Sequence, residues 1–461
     1  MQKAPETTYT CVYQNPRKEA PVPANEATRV DAESIATTLL ETLGEQKVEQ
    51  IARKCGMLKR LREVTPLGLL VACVSALGAG EANWLADILR AFNAFTGKSV
   101  RYKPFHNQLR KAGFPEFLRQ VLESVLSKLT VPVLRGLPQS KLSAFDDILL
   151  HDGTSFALHD SLAHRWPGRF TKNSPAAVEL HVTMSALDDN PVSIVLAADK
   201  EAERQFAPDA KSIERCLLLE DRGYQDRRFF LEVRRAGGFF IVRGTKAIRP
   251  FIRKAYDTHG RRLRHLEGKR LSWRILPRET VDLDIEWQGR GPGDDVYEGR
   301  LVAIYRAASR NRKSYTYLHT NLVRSDFSWF DVGQLYRLRW QIELLFKEWK
   351  SHANLHRFVT SKSTIAEGLI WASILAATLK RTITHAAERS SGTELSTQRA
   401  ASAAKHFLDE ILRCLLRGGR SLARALRTAF HYLRENAQRA HPNRDRKKGR
   451  LSSGLSPIGA L

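Results

Sequence analysis

The pattern of apolar and polar positions divides the chain into two helical ends and a middle region of short strands. In residues 31–140, apolar side chains recur three and four residues apart, as at Ile35 and Leu39. This spacing predicts amphipathic helices. Short apolar runs replace it in residues 145–385, and helical spacing returns in residues 403–440. We therefore predict an α/β fold with helical N-terminal and C-terminal domains around a central sheet.

The central region begins with runs that are typical of buried or half-buried strands. Strands are predicted at 148–150, 178–184, 193–197, 216–219 and 239–242. The first three form a meander, and helical stretches are predicted on both sides of the fourth. The resulting order, βββαβαβ, is that of an RNase H-like mixed sheet flanked by helices. In such a sheet the first and fourth strands lie side by side.

A β-rich insertion is predicted at residues 244–314, before the last helix of the sheet domain. Val281, Leu283 and Ile285 alternate with acidic residues, which indicates a half-buried strand. The basic run at 246–274 is a candidate track for phosphates, although a merely soluble surface explains it as well.

One segment, 336–350, combines an apolar face with a polar face that has unusual chemistry. At helical spacing, about 60° of its surface contains four polar residues, Tyr336, Arg339, Glu343 and Lys350. The opposite side is apolar and contains Leu338, Ile342, Leu345 and Trp349. A carboxylate between two cations and a phenol suits a metal ion beside a phosphate backbone. An ordinary solvated helix is the alternative unless further carboxylates join Glu343.

Two aspartates provide such partners, because each follows one of the adjacent strands. Asp152 ends the first strand and Asp221 follows the fourth, so their side chains are expected to meet beneath Glu343. Three carboxylates in one place repel one another unless divalent cations lie among them. Two Mg²⁺ ions roughly 3.5 to 4 Å apart can activate a water or a 3'-hydroxyl at a phosphodiester. The pattern thus indicates nuclease or strand-transfer chemistry.

Other side chains near these strands are weaker candidates, namely Asp146, Asp147, His151, Asp188, Asp189 and Glu220. The first pair of aspartates precedes its strand, and the second pair falls in a tight turn, where Asp is favoured for backbone reasons. The histidine alternates away from Asp152. Glu220 is the nearest rival of Asp221, because a shift of one residue would point it at the same site.

The charge of the chain points to a polyanionic partner. There are 74 Lys and Arg residues against 49 Asp and Glu residues, a formal net charge of +25. Nucleic acid explains this excess most simply, with an acidic membrane surface as the rival. The longest uncharged stretches, 66–80 and 368–379, are too short to span a bilayer and predict buried helices. We find no secretory signal, and the five widely spaced cysteines are expected to be reduced, so we expect a cytoplasmic protein.

These ordered motifs resemble the bacterial insertion-sequence transposases of the DDE class. Members of that family have the signature Tyr-x2-Arg-x3-Glu-x6-Lys (YREK), and residues 336–350 fit it at every position. Asp152 in the sequence DGT and Asp221 in the sequence DRGY match the contexts of the first two acids of the family. The resemblance covers about half of the chain, and it implies a transposase of the cut-and-paste type.

The resemblance also implies roles for individual residues. Two Mg²⁺ ions, for which Mn²⁺ can substitute, would be held by Asp152, Asp221 and Glu343. The DNA phosphates around the cleaved end would be gripped by Tyr336, Arg339 and Lys350. Some members cleave through a DNA hairpin and hold a flipped base with an aromatic side chain. Tyr315 and Tyr317 are the candidates for that role by position.

The expected protein binds the terminal inverted repeats of its element as double-stranded DNA, cleaves at the ends and joins the 3'-hydroxyl to target DNA. Residues 31–140 would be the DNA-binding domain, and residues 403–440 would supply a surface for a homodimer in a synaptic complex. Residues 1–30 are expected to be a flexible arm and residues 441–461 a basic tail. Two alternatives are an inactive, DNA-binding descendant and an RNase H-like nuclease that acts on branched or hybrid nucleic acid.

Overall fold

The computed structural model describes residues 9–12, 30–79, 85–129, 131, 141–245, 247, 249–288, 296–307, 313–355 and 358–441. The strands of this part are β1 Tyr9–Val12, β2 Ile148–Ala157, β3 Ala177–Ser185, β4 Asn190–Ala198, β5 Leu217–Glu220, β6 Phe239–Arg243, β7 Phe251–Tyr256, β8 Val281–Trp287, β9 Tyr297–Ala307 and β10 Lys313–Thr320. Its helices are α1 Ala32–Leu43, α2 Glu45–Lys54, α3 Pro66–Gly78, α4 Leu85–Thr96, α5 Tyr102–Leu109, α6 Gly113–Lys128, α7 Arg227–Arg235, α8 Trp329–Arg337, α9 Trp340–His352, α10 Ser363–Ser391, α11 Thr397–Ser402, α12 Leu408–Leu416 and α13 Leu422–Asn436.

All ten of these strands belong to one mixed sheet. Their order is β1-β4-β3-β2-β5-β6-β10-β9-β8-β7. Strands β2, β3 and β4 form an antiparallel meander, whereas β5 is parallel to both β2 and β6. The predicted adjacency of the first and fourth strands of the central region, β2 and β5, is therefore confirmed. Between β4 and β5 the chain forms short 3₁₀ helices at Glu203–Phe206 and Ala210–Ile213, where the sequence indicated a helical stretch.

The predicted β-rich segment is an extension of the same sheet. Strand β10 pairs with β6 on one side and with β9 on the other, and β8 and β7 follow outward. The alternating run Val281–Trp287 is strand β8, as its pattern predicts. The last strand continues to Thr320, beyond the predicted boundary at residue 314, because its final residues pair with β6.

The two faces of the sheet pack into two hydrophobic cores. On one face, even-numbered residues of β2 and β3, such as Leu150 and Val182, join the helices of both chain ends in a single large core. On the other face, Leu149 and Leu218 join α7 and strands β7 to β10 in a second core. Burial on both faces explains the nearly continuous apolar runs of the central strands.

Helix α10 lies at the centre of the helical layer and contacts α3, α6, α9, α11 and α13. A β-carbon on Gly368 of α10 would lie 2.3 Å from the Phe114 ring of α6, so a glycine is needed where these two helices meet. Helix α10 continues to Ser391, beyond the predicted end of the central region at residue 385. The terminal helices are thus integral to the main core rather than separate modules.

The apolar face of the last helices is covered by the chain itself. Leu408, Ile411, Leu412 and Leu415 are all buried within the large core. Helix α12 packs against α3 and α13, and α13 packs against α1 and α10. The expectation that this face serves a second copy of the chain is wrong, because intramolecular packing already buries it.

The N-terminal segment also departs from the expected flexible arm. Tyr9–Val12 forms strand β1, which pairs antiparallel with the edge of β4. The predicted tail after His441 lies outside the described residues. Within the described part of the chain, none of the helices is both long and apolar enough to cross a membrane.

Candidate active site

The three predicted carboxylates line one open cleft. Its walls include Asp152 from β2, Asp221 from the end of β5 and Glu343 from α9, together with Arg339 and Lys350. These residues are far apart in the chain, so the cleft exists only because the sheet and α9 bring them together. The sequence pattern predicts this group of side chains.

Strand register brings the two aspartates side by side within the sheet, at the point where β5 ends. The expectation that Asp152 ends its strand is wrong, because β2 continues to Ala157 along its pairing with β3. His151 of β2 pairs with Glu220 of β5, and Asp152 and Asp221 are the next residues on each strand. Their side chains are partly accessible, with 22% of Asp152 and 32% of Asp221 exposed to solvent. A β-carbon on Gly153, the next residue, would lie 2.6 Å from the Glu179 carboxylate, so a larger side chain there would displace that group.

Glu343 is held over the two aspartates by α9, which packs its apolar side into the large core. Leu338, Ile342, Leu345 and Trp349 are buried in the large core, as the sequence predicts. The segment is divided into α8 and α9 rather than forming one helix. At the junction, Leu338 and Arg339 keep helical backbone angles, but their amides bond to carbonyls three residues back. The tightened turn keeps the polar stripe on one side.

Arg339 lies between two of the carboxylates. Its guanidinium donates a hydrogen bond of 2.9 Å to Asp152 and a second one to Glu343. Only 12% of the Arg339 side chain is exposed, so the ion pairs are shielded from solvent. This cation therefore offsets the repulsion between carboxylates that the sequence places together.

The electrostatics of Asp152 reflect this crowding. The pKa of Asp152 is raised to about 6, chiefly by burial; Arg339 and the Gly153 amide oppose the increase, and the charges of Asp221 and Glu343 add to it. Carboxylate oxygens are the ligands that Mg²⁺ prefers, so the chemistry of the three acids fits a divalent ion. With the Arg339 guanidinium between them, however, no three acidic, histidine or cysteine side chains of the described residues are arranged to hold a metal ion.

The other two residues of the polar stripe also border the acids. The Tyr336 hydroxyl lies 3.4 Å from Asp221, to which it donates. Burial raises the pKa of Tyr336 well above its usual value, so the phenol is protonated and remains a donor. The Lys350 ammonium donates to the backbone carbonyl of Ser155 near the end of β2, at 3.0 Å.

Two basic residues of the site were not predicted. Arg243 ends β6 and lies 3.6 Å from Asp221, because Val242 pairs with Glu220 one residue earlier. Lys347 of α9 also lines the cleft. The signal for Arg243 is present in the sequence, since its position on the fifth strand corresponds to that of Asp221 after the fourth.

Glu220, the nearest rival of Asp221, points to the opposite face of the sheet. It is fully buried, and both carboxylate oxygens lack a hydrogen-bond partner. Burial, with a smaller contribution from Asp152, raises the pKa of Glu220 well above its usual value. His151 is on this same face, where its Nδ1 lies 2.9 Å from the Thr183 hydroxyl. Neither side chain reaches the cleft.

Asp189, another of the weaker candidates, has a structural role: through Arg381 it is linked to α9. It adopts a positive φ of 50° in the turn between β3 and β4. Arg381 of α10 donates to the Asp189 carboxylate at 2.6 Å and to Glu348 of α9 at 2.9 Å. His385 lies 3.0 Å from the same aspartate. All of these groups are buried, so this network ties the helix that contains Glu343 to the meander.

Tyr315 and Tyr317 lie in the second core, outside the cleft. Their side chains are only 5% and 6% exposed, and their rings stack with centroids 6.1 Å apart. The Tyr315 hydroxyl donates to the Pro277 carbonyl at 2.5 Å. Both rings lie on one face of β10, where the segment between β7 and β8 packs and contributes Leu271 and Leu276 to the same core. A contact with a flipped base would require them to leave this core.

A mixed sheet thus has three carboxylates grouped near the end of β5, with α9 above them. Comparison with protein families identifies the class of protein. The model of the family described as "Transposase DDE domain" matches residues 143–379, more than half of the chain. The chain therefore belongs to the DDE transposase family, and the match spans β2 to most of α10.

Individual relatives are similar over most of their length. The transposase for insertion sequence element IS231E of Bacillus thuringiensis subsp. finitimus is 21% identical over 440 residues, covering 86% of this chain and 89% of the relative. The transposase for IS231C of Bacillus thuringiensis subsp. berliner is 19% identical with the same coverage. A shorter match, 37% identical over 82 residues, joins the chain to the putative transposase InsL for IS186A of Escherichia coli K12.

Proposed function

We propose that this protein is a cut-and-paste DNA transposase. It binds the terminal inverted repeats of its insertion sequence, cleaves at the element ends and joins the freed 3'-hydroxyl to target DNA. One observation carries the proposal: Asp152, Asp221 and Glu343 come from three separate elements and line the same cleft. Membership of the DDE transposase family and the names of the relatives support it.

The sheet supports an RNase H-like core for this enzyme. Strands β4, β3, β2, β5 and β6 are consecutive in the sheet, the first three antiparallel and the last two parallel to β2. Helix α9 packs against β2. This arrangement brings the middle of β2, the end of β5 and one helix together, as a three-carboxylate site requires.

Asp152, Asp221 and Glu343 would hold two Mg²⁺ ions, or Mn²⁺ in their place. Such ions, when bound, activate a water or a 3'-hydroxyl and stabilise the leaving oxygen at a phosphodiester. The partial exposure of the three side chains supports this role, because their oxygens face a cleft that is open to substrate. The buried ion pairs of Arg381 would keep α9, and with it Glu343, in place.

The basic residues around the acids would contact the DNA. Tyr336, Arg339 and Lys350 border the three carboxylates and would grip the phosphates next to the cleaved bond. Arg243 and Lys347 add two further cations to this rim. Arg339 would exchange its carboxylate partners for phosphate oxygens, for which a guanidinium is equally suited. We leave Tyr315 and Tyr317 out of this set because of their burial.

The proposed partners follow from the reaction. Two element ends must be joined to one target, so we propose a homodimer that assembles on DNA within the nucleoid of a bacterial cytoplasm. The net charge of +25 supports contacts with duplex DNA well beyond the cleft. The buried face of α12 is not available for this dimer, so another surface of the chain would form it.

Strand transfer tests the proposal separately from cleavage. Labelled duplexes that end in the inverted repeats flanking the gene, with a free 3'-hydroxyl, are incubated with plasmid and Mg²⁺. We expect joined products with the wild type and with Glu232→Gln, a matched change at an exposed residue of α7. Glu343→Gln should give none.

Each alternative function has its own outcome in this assay. Binding of the repeats without joining by any variant, even with Mn²⁺, would indicate an inactive DNA-binding relative and would contradict the proposal. A branched DNA substrate is tested alongside the duplexes, and its cleavage at positions unrelated to the repeats would indicate a nuclease of the same fold.

A further inference from the structure

A second basic surface lies on the C-terminal helices, away from the residues that line the active-site cleft. Helices α12 and α13 border a groove of about 820 Å³. Arg417, Arg420 and Arg424 lie along one end of the groove, and the small residues Ala425 and Ala429 are part of its lining. We call it the arginine groove. It shares no residue with the cleft around Asp152.

The three arginines of the groove have exposed side chains, and none of them forms an ion pair or a side-chain hydrogen bond with any described residue. Neighbouring arginines differ in this respect. Arg427 of α13 pairs with Glu33, and the Arg413 guanidinium lies 4.7 Å from the centre of the Phe95 ring. The two arginines beside the groove thus have partners within the chain, whereas the three inside it have none among the described residues.

The turn between the helices fixes these charges in place. Gly418 and Gly419 both have positive φ angles, 73° and 78°, and separate Arg417 from Arg420. A β-carbon on Gly419 would lie 2.3 Å from Leu40, so the turn packs closely against α1. A fixed backbone lowers the entropic cost of holding several guanidinium groups beside one ligand.

The size of the groove suits an extended polyanion. Its lining runs from Ser421 to Tyr432 on α13, a distance of about 17 Å at 1.5 Å per residue. Phosphates of one DNA strand recur about every 3.4 Å along the helix axis, so several lie within this length. At the far end, His406 and Tyr432 have ring centroids 5.6 Å apart. Glu410 is the one acidic residue among those that line the groove.

We propose that the arginine groove binds the phosphodiester backbone of DNA outside the reacting end. The inference rests on the proposed function, and it deepens it by assigning a second DNA contact to the C-terminal helices. Guanidinium groups pair with phosphate oxygens through two parallel hydrogen bonds, and three uncompensated ones in a row match a repeating anion. An acidic protein segment is the competing ligand, and polyglutamate serves as its probe.

The salt dependence of DNA binding measures this contact. The triple variant Arg417→Gln, Arg420→Gln, Arg424→Gln is compared with Lys172→Gln, Lys200→Gln, Lys211→Gln, which removes the same charge from exposed residues of other elements. The logarithmic slope of affinity against salt falls by about 0.9 for each duplex phosphate that the protein no longer neutralises, and by about 0.7 for single strands. We expect the groove variant to lose about 2 to 3 units of slope on a duplex that extends past the repeat, and the lysine variant much less.

The measurement is made on the Glu343→Gln background, so it does not depend on cleavage. If the groove variant shows a reduced slope but the wild type cleaves no DNA, the result supports DNA binding by the groove and refutes the proposed function. Equal slopes for the groove and lysine variants, with both duplex and single-stranded probes, would overturn the groove. Tighter binding of polyglutamate than of DNA, abolished by the groove variant, would also overturn it in favour of an acidic protein partner.

Cross-linking provides a second readout that tolerates a folding defect in the triple variant. A photoreactive group is attached at Thr428→Cys, in the groove, or at Ser212→Cys, on an exposed 3₁₀ helix of the sheet domain. We expect DNA adducts from the first and few from the second. Equal yields at the two positions would contradict the proposal.

Discussion

Arg339 donates a 2.9 Å hydrogen bond to Asp152, a residue 187 positions earlier in the chain. The same guanidinium contacts Glu343 one helical turn away. Two of the three acids of the cleft are thus joined by a cation from the chain itself. Residues of the signature Tyr-Arg-Glu-Lys therefore pair with carboxylates of the cleft, in addition to the DNA contacts that we propose for them.

This arrangement makes a prediction for Arg339→Met. Without the guanidinium, Asp152 and Glu343 repel each other, so the variant should be less stable than the wild type in the absence of divalent ions. A divalent ion then relieves more repulsion, and Mg²⁺ should raise the thermal midpoint of the variant more than that of the wild type. Differential scanning calorimetry with and without Mg²⁺ measures both effects. Identical Mg²⁺-induced shifts would show that Arg339 and the ion do not share these carboxylates.

A second prediction concerns the buried pair of Asp189 and Arg381. Burial alone would raise the pKa of Asp189, but Arg381 and His385 together lower it to about 2. Asp189→Asn leaves Glu348 as the one carboxylate among the described residues that the guanidinium contacts, so we expect a loss of roughly 3 kcal/mol in the free energy of unfolding at pH 7. The contribution of Asp189 is complete above its unfolded pKa near 3.8 and fades as the pH falls toward 2.

Urea unfolding at several pH values tests this assignment. The difference between the wild type and Asp189→Asn should narrow by about 1 kcal/mol between pH 7 and pH 3. A difference that stays constant over this range would mean that the ion pair does not stabilise the fold. Adding Arg381→Met to Asp189→Asn should not recover the loss, because it leaves the buried Glu348 carboxylate without its cation.

Glu220→Gln should stabilise the protein at neutral and alkaline pH. The pKa of Glu220 is raised, so the folded state retains a proton that the unfolded state releases. The stability linked to this proton is complete below the unfolded pKa near 4.5 and is lost as the pH rises. Glutamine replaces the neutral acid without that loss, and we expect a gain on the order of 1 kcal/mol.

Thermal unfolding at pH 5 and pH 8 provides the measurement for Glu220→Gln. The gain should be larger at pH 8 and absent from the exposed control Glu232→Gln. If Glu220→Gln is less stable than the wild type at pH 8, the Glu220 carboxylate is ionised in the folded protein and pairs with another group.

The close contact between Gly368 and Phe114 predicts a cost for a single methyl group. Gly368→Ala would force the β-carbon against the aromatic ring, and overpacking of this kind costs about 1 to 3 kcal/mol. Phe114→Leu removes the ring that the methyl group meets, so the double variant should be more stable than the sum of the two single changes implies. Chemical unfolding of the four proteins completes the cycle, and strict additivity would mean that the helices separate instead.

The sequence predicts the acidic site well because local signals define it. Asp152 and Asp221 follow apolar runs, and parallel pairing of β2 with β5 in register is sufficient to bring them together. The apolar face of α9 was predicted correctly for a similar reason, since helical periodicity depends only on neighbouring residues. The strand β8 was recognised from its alternation.

The remaining errors concern surfaces that distant parts of the chain cover. Tyr315 and Tyr317 were candidates by their position in the chain, which does not reveal that other parts of the chain bury both residues. Likewise, the sequence does not reveal that α3 and α13 pack against α12 and cover its apolar face. Strand β1 pairs with residues more than 180 positions away, a contact that no local pattern encodes.

The most direct test of the account is metal-dependent cleavage at the element end. Labelled linear DNA that spans the repeat boundary is incubated with Mg²⁺ and either the wild type or Glu343→Gln, and binding is measured in parallel. We predict nicking at the boundary by the wild type. Glu343→Gln should bind the DNA equally well, but its cleavage should fall by more than the roughly 10- to 100-fold that loss of an outer-shell metal partner causes. Equal cleavage by both proteins, or binding without cleavage by either, would contradict the assignment of Asp152, Asp221 and Glu343 as the catalytic acids.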